Sequence, residues 1–275
     1  MNKILVTLFT DEDSAYKGLD ALHELHGHGD ITLYGSSMIA KQADGTAKKL
    51  ELEDPGPIGA VVGLVGGSML GLLGGPVGAA IGATVGATTG MLYDLISVGI
   101  GADFVDDVSS AMEPGMVAVI ADIDEGRITP VESQMAALGG QTIRRVPSNM
   151  LEEQLNHDID AMSAELAQLN VELRDATSKA DNAITKRIDA DAAKIEDIKK
   201  RADKEIAKAQ ANYEARVTTL RAQRERALEQ RKTAIDGRIA ELKADYDLRR
   251  GKLERAHDLS KQALELRRQA LSPAH

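Results

Sequence analysis

Met116-Val117-Ala118-Val119-Ile120-Ala121-Asp122-Ile123 is the stretch from which the architecture can be read. It is nearly continuous in apolar residues and rich in β-formers, the pattern of a strand buried on both faces at the centre of a sheet. Glu113-Pro114-Gly115 before it reads as a turn, and Phe104, Val108 and Met112 form one face of a short helix upstream. Downstream, Thr129-Pro130-Val131-Glu132 has the form of a capping box with Pro at the first helical position. Val131, Met135 and Leu138 give that helix its apolar face, Gly139-Gly140 ends it, and Gln141 to Val146 reads as a last strand. The N-terminal part has the same grammar. Lys3 to Phe9 is a strand, Thr10 or Asp11 caps a helix with Ala15, Leu19, Leu22 and Leu25 at helical spacing, and Gly27 and Gly29 stop it. A strand with Ile31 and Leu33 follows, then another with Leu50 and Leu52. The order βαβ-insertion-βαβ predicts an α+β ferredoxin-like sandwich of about four strands with two helices on one face, made of residues 1–54 plus 102–146.

The insertion, residues 55–101, carries the strongest periodicity in the chain. From Pro55 to Tyr93 there are 39 residues without a charge. Gly59, Gly63, Gly67, Gly71 and Gly75 stand four residues apart, and after Pro76 the interval resumes with Gly78, Gly82, Gly86 and Gly90. That spacing places each run on one helix face, and a face without side chains lets two backbones approach closely. The segment reads as a glycine-zipper helical hairpin. Glycine costs about 1 kcal/mol per helical position relative to alanine, so such a hairpin needs a bilayer or a protein assembly around it. Arms of 19 and 18 residues, Pro57–Gly75 and Pro76–Tyr93, nearly match the ~30 Å of a hydrocarbon core, which favours the membrane. A soluble hairpin buried between subunits is the alternative.

Residues 1–146 resemble an uncharacterised bacterial family of predicted glycine-zipper membrane proteins, a domain of unknown function. The resemblance rests on Leu8-Phe9-Thr10-Asp11-Glu12-Asp13, on the zipper, on Ala111-Met112-Glu113-Pro114-Gly115-Met116-Val117-Ala118-Val119 and on Gly139-Gly140-Gln141-Thr142-Ile143. It implies a membrane-associated or self-associating protein. It implies no reaction and supplies no catalytic residue.

Outside the resemblance, residues 148–271 read as one long coiled-coil helix. Ser148 or Asn149 caps it, and only Gly237 and Gly251 interrupt an otherwise proline-free run. Leu151, Met162, Leu173, Ile184, Ile195, Ile206, Val217, Leu228 and Ile239 stand eleven apart, the period of a straight or slightly right-handed seam. Charge is polarised along it, with nine acids and four bases over residues 151–190 but nine acids and fourteen bases over 221–271. Helix-dipole compensation accounts for that, as does antiparallel pairing within a hairpin or between subunits.

Composition narrows the functional classes. The chain of 275 residues has 43 acidic and 33 basic residues, a formal charge of −10, no Cys and 3% aromatics. Without Cys there is no disulfide, thiolate metal site or cysteine nucleophile. Few aromatics and a net negative charge argue against a nucleic-acid partner. The acidity belongs to residues 1–150, with 19 acids and 8 bases. His23, His26 and His28 with Glu24 and Asp30 are the nearest approach to a metal cluster, but they straddle a helix end where histidines sit for electrostatic reasons. Asp103, Asp106 and Asp107 have no cation-loop pattern around them. No catalytic constellation, metal, cofactor or small-molecule substrate is expected. The reading is a non-enzymatic structural or scaffold protein, a homo-oligomer assembled through the zipper and the coiled coil. It is expected on the cytoplasmic side of the inner membrane, or in the cytoplasm if the hairpin is buried in a soluble ring, cage or filament. A pore built from the hairpins and a ligand sensor are the other classes considered.

Overall fold

The computed structural model describes residues 2–52, 65, 67, 99–175 and 178–271. They divide into two compact units, Met1–Ser148 with Ala211–Ala244, and Asn149–Gln210 with Asp245–His275.

The first unit is built on a five-stranded antiparallel sheet in the order β3-β2-β4-β1-β5. The strands are β1 (Asn2–Phe9), β2 (Ile31–Lys41), β3 (Ala47–Leu52), β4 (Val117–Glu125) and β5 (Gln141–Arg145). β4 is the middle strand and every one of its residues is buried, as its apolar run predicts. Alternation along β1 and β4 sends side chains to two separate cores. Leu5, Phe9, Val117, Val119, Ala121 and Ile123 pack under α1 (Glu12–His28) and α3 (Thr129–Ala137). Ile4, Val6, Leu8, Ala118 and Ile120 face α2 (Ala102–Ala111) through Phe104, Val105 and Val108.

Local signals fix both ends of α1. Asp11 is its N-cap, accepting the Ser14 backbone N–H at 2.8 Å, and Gly29 ends it in the left-handed conformation with φ 77°. Gly27, read as a stop, lies inside the helix. The capping box at Thr129 does not form. The helix takes Ile128 as its N-cap position with no side-chain cap bond, and Glu132 turns instead to Arg144, whose Nη1 donates to its carboxylate at 2.5 Å. With Ile128 at the cap, Glu132 is the fourth helical residue rather than the third, so it is out of place to close the box.

The helical run from 148 to 271 is divided into α4 (Met150–Asp175), α5 (Ser178–Arg226) and α6 (Glu229–Leu271). The break at Ala227-Leu228 has neither Gly nor Pro. Across it, the Arg224 guanidinium grips the Asp236 carboxylate with two bonds of 2.5 and 3.1 Å, and Leu220 and Ile235 bury together. Residues 211–244 are thus a helical hairpin belonging to the sheet unit.

In the second unit α4 pairs with residues 178–210 of α5 and 245–271 of α6. Glu152–Arg249 (2.7 Å) and Asp160–Arg255 (3.3 Å) rise together in number, so α4 and α6 run parallel. Asp203–His257 (2.6 Å) and Asp189–Arg267 (2.7 Å) run oppositely, so α5 is antiparallel to α6. The acidic start of this region therefore meets its basic end, but side by side in the same direction. Along α4 the buried Leu155, Ile159, Leu166 and Leu169 alternate spacings of four, seven and three, with half-buried Met162 filling the seven. The eleven-residue series samples only part of that stripe. No helix among the described residues is long and apolar enough to cross a membrane.

Candidate functional site: a buried acid–arginine cluster

Asp122 interrupts the apolar middle of β4, and the sheet does not let its carboxylate reach solvent. Its side chain is fully buried, opposite Ile4 on β1 and Gly35 on β2. The partner comes from α5, where Arg216, itself buried, donates from Nη2 to Asp122 Oδ2 at 2.5 Å. Burial pushes the Asp122 carboxyl up to about 6 despite the guanidinium, which pulls the other way.

Tyr34 completes the cluster because β2 is bulged at this point. The register passes from Leu33↔Ile123 to Gly35↔Asp122, leaving Tyr34 as the extra residue. A bulge re-aims a side chain, and the Tyr34 ring lies under the Arg216 guanidinium, 4.4 Å from centroid to Cζ. Burial drives its phenol well above the ordinary range. Asp122 Oδ1, Arg216 Nη1, the Tyr34 hydroxyl and the Ser37 hydroxyl have no hydrogen-bond partner among the described residues.

Two further side chains of the hairpin reach the end of α1 and the start of β2. Gln223 donates from Nε2 to the carbonyls of His26 (2.7 Å) and Ile31 (2.6 Å) and accepts from the Thr32 hydroxyl (2.7 Å). Arg238 donates to Thr32 Oγ1 (3.1 Å), the Gly29 carbonyl (3.1 Å) and the Asp30 carbonyl (2.7 Å). Arg231 pairs with the Asp30 carboxylate at 2.9 Å. Burial lowers the affinity of Arg238 for its proton. A cleft of about 360 Å³ opens beside Gln223, lined by His26, Gly27, Thr218, Thr219, Ala222 and Arg226.

His26 Nδ1 accepts the Leu33 backbone N–H at 3.1 Å, so the imidazole is tied to β2. No group of three or more metal-ligating side chains stands together among the described residues. Asp103 pairs with Arg145 at 2.7 Å.

The residues singled out for assembly are placed as follows. Gly59, Gly63, Gly71, Gly75, Gly78, Gly82, Gly86 and Gly90 lie outside the described residues. Gly67 is helical and exposed, with open space where a Cβ would stand, while its neighbour Val65 is fully buried against the α2 face of the sheet. Of the eleven-residue series, Leu151, Ile195 and Val217 are buried, and Met162, Leu173, Ile184, Ile206 and Ile239 are half-buried. Leu228 is 70% exposed at the turn. Sequence reasoning missed Tyr34, Asp122, Arg216, Gln223 and Arg238. The one available signal was an acid inside an apolar strand, which marks a buried charge in need of a partner.

No curated protein and no solved structure matches the chain. Residues 59–160, from within the glycine-rich insertion to the first part of α4, match the family described as "Protein of unknown function (DUF1269)".

Proposed function

We propose that this protein is a non-enzymatic scaffold that self-associates through its glycine-rich insertion at a membrane surface. The observation that carries this reading is the charge-free run from Pro55 to Tyr93, with glycine at every fourth position from Gly59 to Gly75 and again from Gly78 to Gly90. Such a run is costly as an isolated helix and gains from close helix packing. The sheet order β3-β2-β4-β1-β5, with β1-α1-β2 and β4-α3-β5 as its two crossovers, supports a ferredoxin-like carrier for the insertion, with β3 added at one edge. The charged groups of the buried cluster are tied to one another, which suits a structural role better than turnover.

A second reading keeps the scaffold and removes the membrane, with the insertion buried in a soluble assembly. It is favoured by Val65, which is fully buried in the cluster shared by Ile4 and Val6 of β1 and Phe104 of α2. Fractionation separates the two. Recovery with membranes and release only by detergent supports the first, and full recovery without detergent supports the second. Gly67→Leu and Gly82→Leu should reduce oligomer size by light scattering in either case, and an unchanged size would remove the zipper from the assembly.

A further inference from the structure

The helical hairpin of residues 211–244 is held to the sheet in an unusual manner for a core element. Its apolar contact is small: Tyr34, Leu220 and Ile235 are the buried members, with half-buried Ala227, Ile239 and Leu242 packed on them, against larger buried clusters on the two sheet faces among the described residues. The remainder is polar and directional. Arg216, Arg231 and Arg238 bring cations to Asp122, to the Asp30 carboxylate and to the carbonyls of Gly29 and Asp30, while Gln223 closes three bonds. Asp122 Oδ1, Arg216 Nη1 and the Tyr34 hydroxyl are buried without a partner among the described residues. Each such atom offsets part of what docking gains, because its lost hydration is not replaced.

We propose that residues 211–244 form a releasable strap that masks in cis the polar sheet face around Asp122, Tyr34 and Thr32, and that it opens as a unit while the sheet stays folded. Regions with few buried apolar contacts and many polar ones open at free energies well below global unfolding. Release exchanges the arginine pairs for solvated charges, so the apolar loss is limited to one small cluster.

Hydrogen exchange on the full chain tests this. Amides of residues 216–240 should exchange through an opening that leaves residues 117–125 and 19–25 protected, at rates roughly tenfold or more apart. Arg216→Met should speed the former and keep the gap between the two. The chain has no Cys, so a lock can be introduced cleanly. A Cβ built at Gly29 stands 3.6 Å from the Arg231 Cβ, within disulfide reach. Gly29→Cys with Arg231→Cys strains the backbone at Gly29 equally in the reduced and oxidised forms, so comparing the two isolates the lock. Oxidation by glutathione disulfide should bring the 216–240 amides to the protection of β4, and reduction should restore their faster exchange. Joint exchange of the hairpin and β4 in the unaltered chain, or faster exchange that survives the lock, would overturn the strap. Cross-links forming only between chains would overturn docking in cis.

Discussion

Asp122 and Arg216, ninety-four positions apart, meet at 2.5 Å with both side chains buried. One sits in the middle strand of the sheet and the other on a helix that returns to it after α4. Removing one partner of such a pair leaves a charge in an environment that cannot solvate it. Arg216→Met should therefore destabilise the sheet unit by on the order of 3–5 kcal/mol near neutral pH. The loss should be smaller near pH 5, because without the guanidinium the carboxyl is held even more firmly in its neutral form. Urea unfolding at the two pH values checks this; an equal loss at both would mean that Asp122 is not the stranded group.

Asp122 also gives the fold a pH signature of known sign. Its carboxyl titrates near 6 when folded against an ordinary value of 3.8. Between those values the folded chain binds the proton more tightly, so this group's contribution is complete below the lower value and is lost as pH rises through about 6. The stability of the natural chain minus that of Asp122→Asn should fall between about pH 4 and pH 6.5 and stay level above. A flat difference across that window would count against the assignment.

Two glycines of α1 should respond oppositely to the same substitution. A Cβ at Gly18 would collide with the Phe9 ring, whereas one at Gly27 meets nothing within 4 Å. Gly27→Ala should stabilise by about 0.5–1 kcal/mol through helix propensity. Gly18→Ala should cost about 1–3 kcal/mol through overpacking, despite the same gain in propensity. Thermal melts of the two variants provide the comparison.

The helical region can be probed with one pair of truncations. Ile159 is fully buried and outside the eleven-residue series, while Leu228 belongs to the series and is 70% exposed. Ile159→Ala should cost about 2–5 kcal/mol and Leu228→Ala should stay within about 0.5 kcal/mol. If Leu228→Ala changes oligomer size by light scattering, that residue is buried between chains.

Much of the sheet unit was legible because its signals are local. The run around Ile120, the Asp11 cap and the spacing of Leu19, Leu22 and Leu25 each state a secondary structure within a few residues. Other features were legible only in part. Eight of the nine eleven-spaced positions are buried or half-buried, but α4 also buries Leu155, Ile159, Leu166 and Leu169, because a helix packed against two neighbours buries a stripe wider than one series. The turn at Ala227-Leu228 carried no Gly or Pro to announce it. Arg216 looked like any of 33 basic residues.

Chain chemistry alone thus determined where strands and helices form and that the middle strand is buried, since backbone preference and hydrophobic period act over one or two turns. Only the tertiary structure decided that the helices fold back, that Arg216 finds Asp122 and that a surface-like charge becomes an interior one. Those outcomes depend on which distant groups share a desolvated space, and the cost of burying a charge is defined only once that space exists.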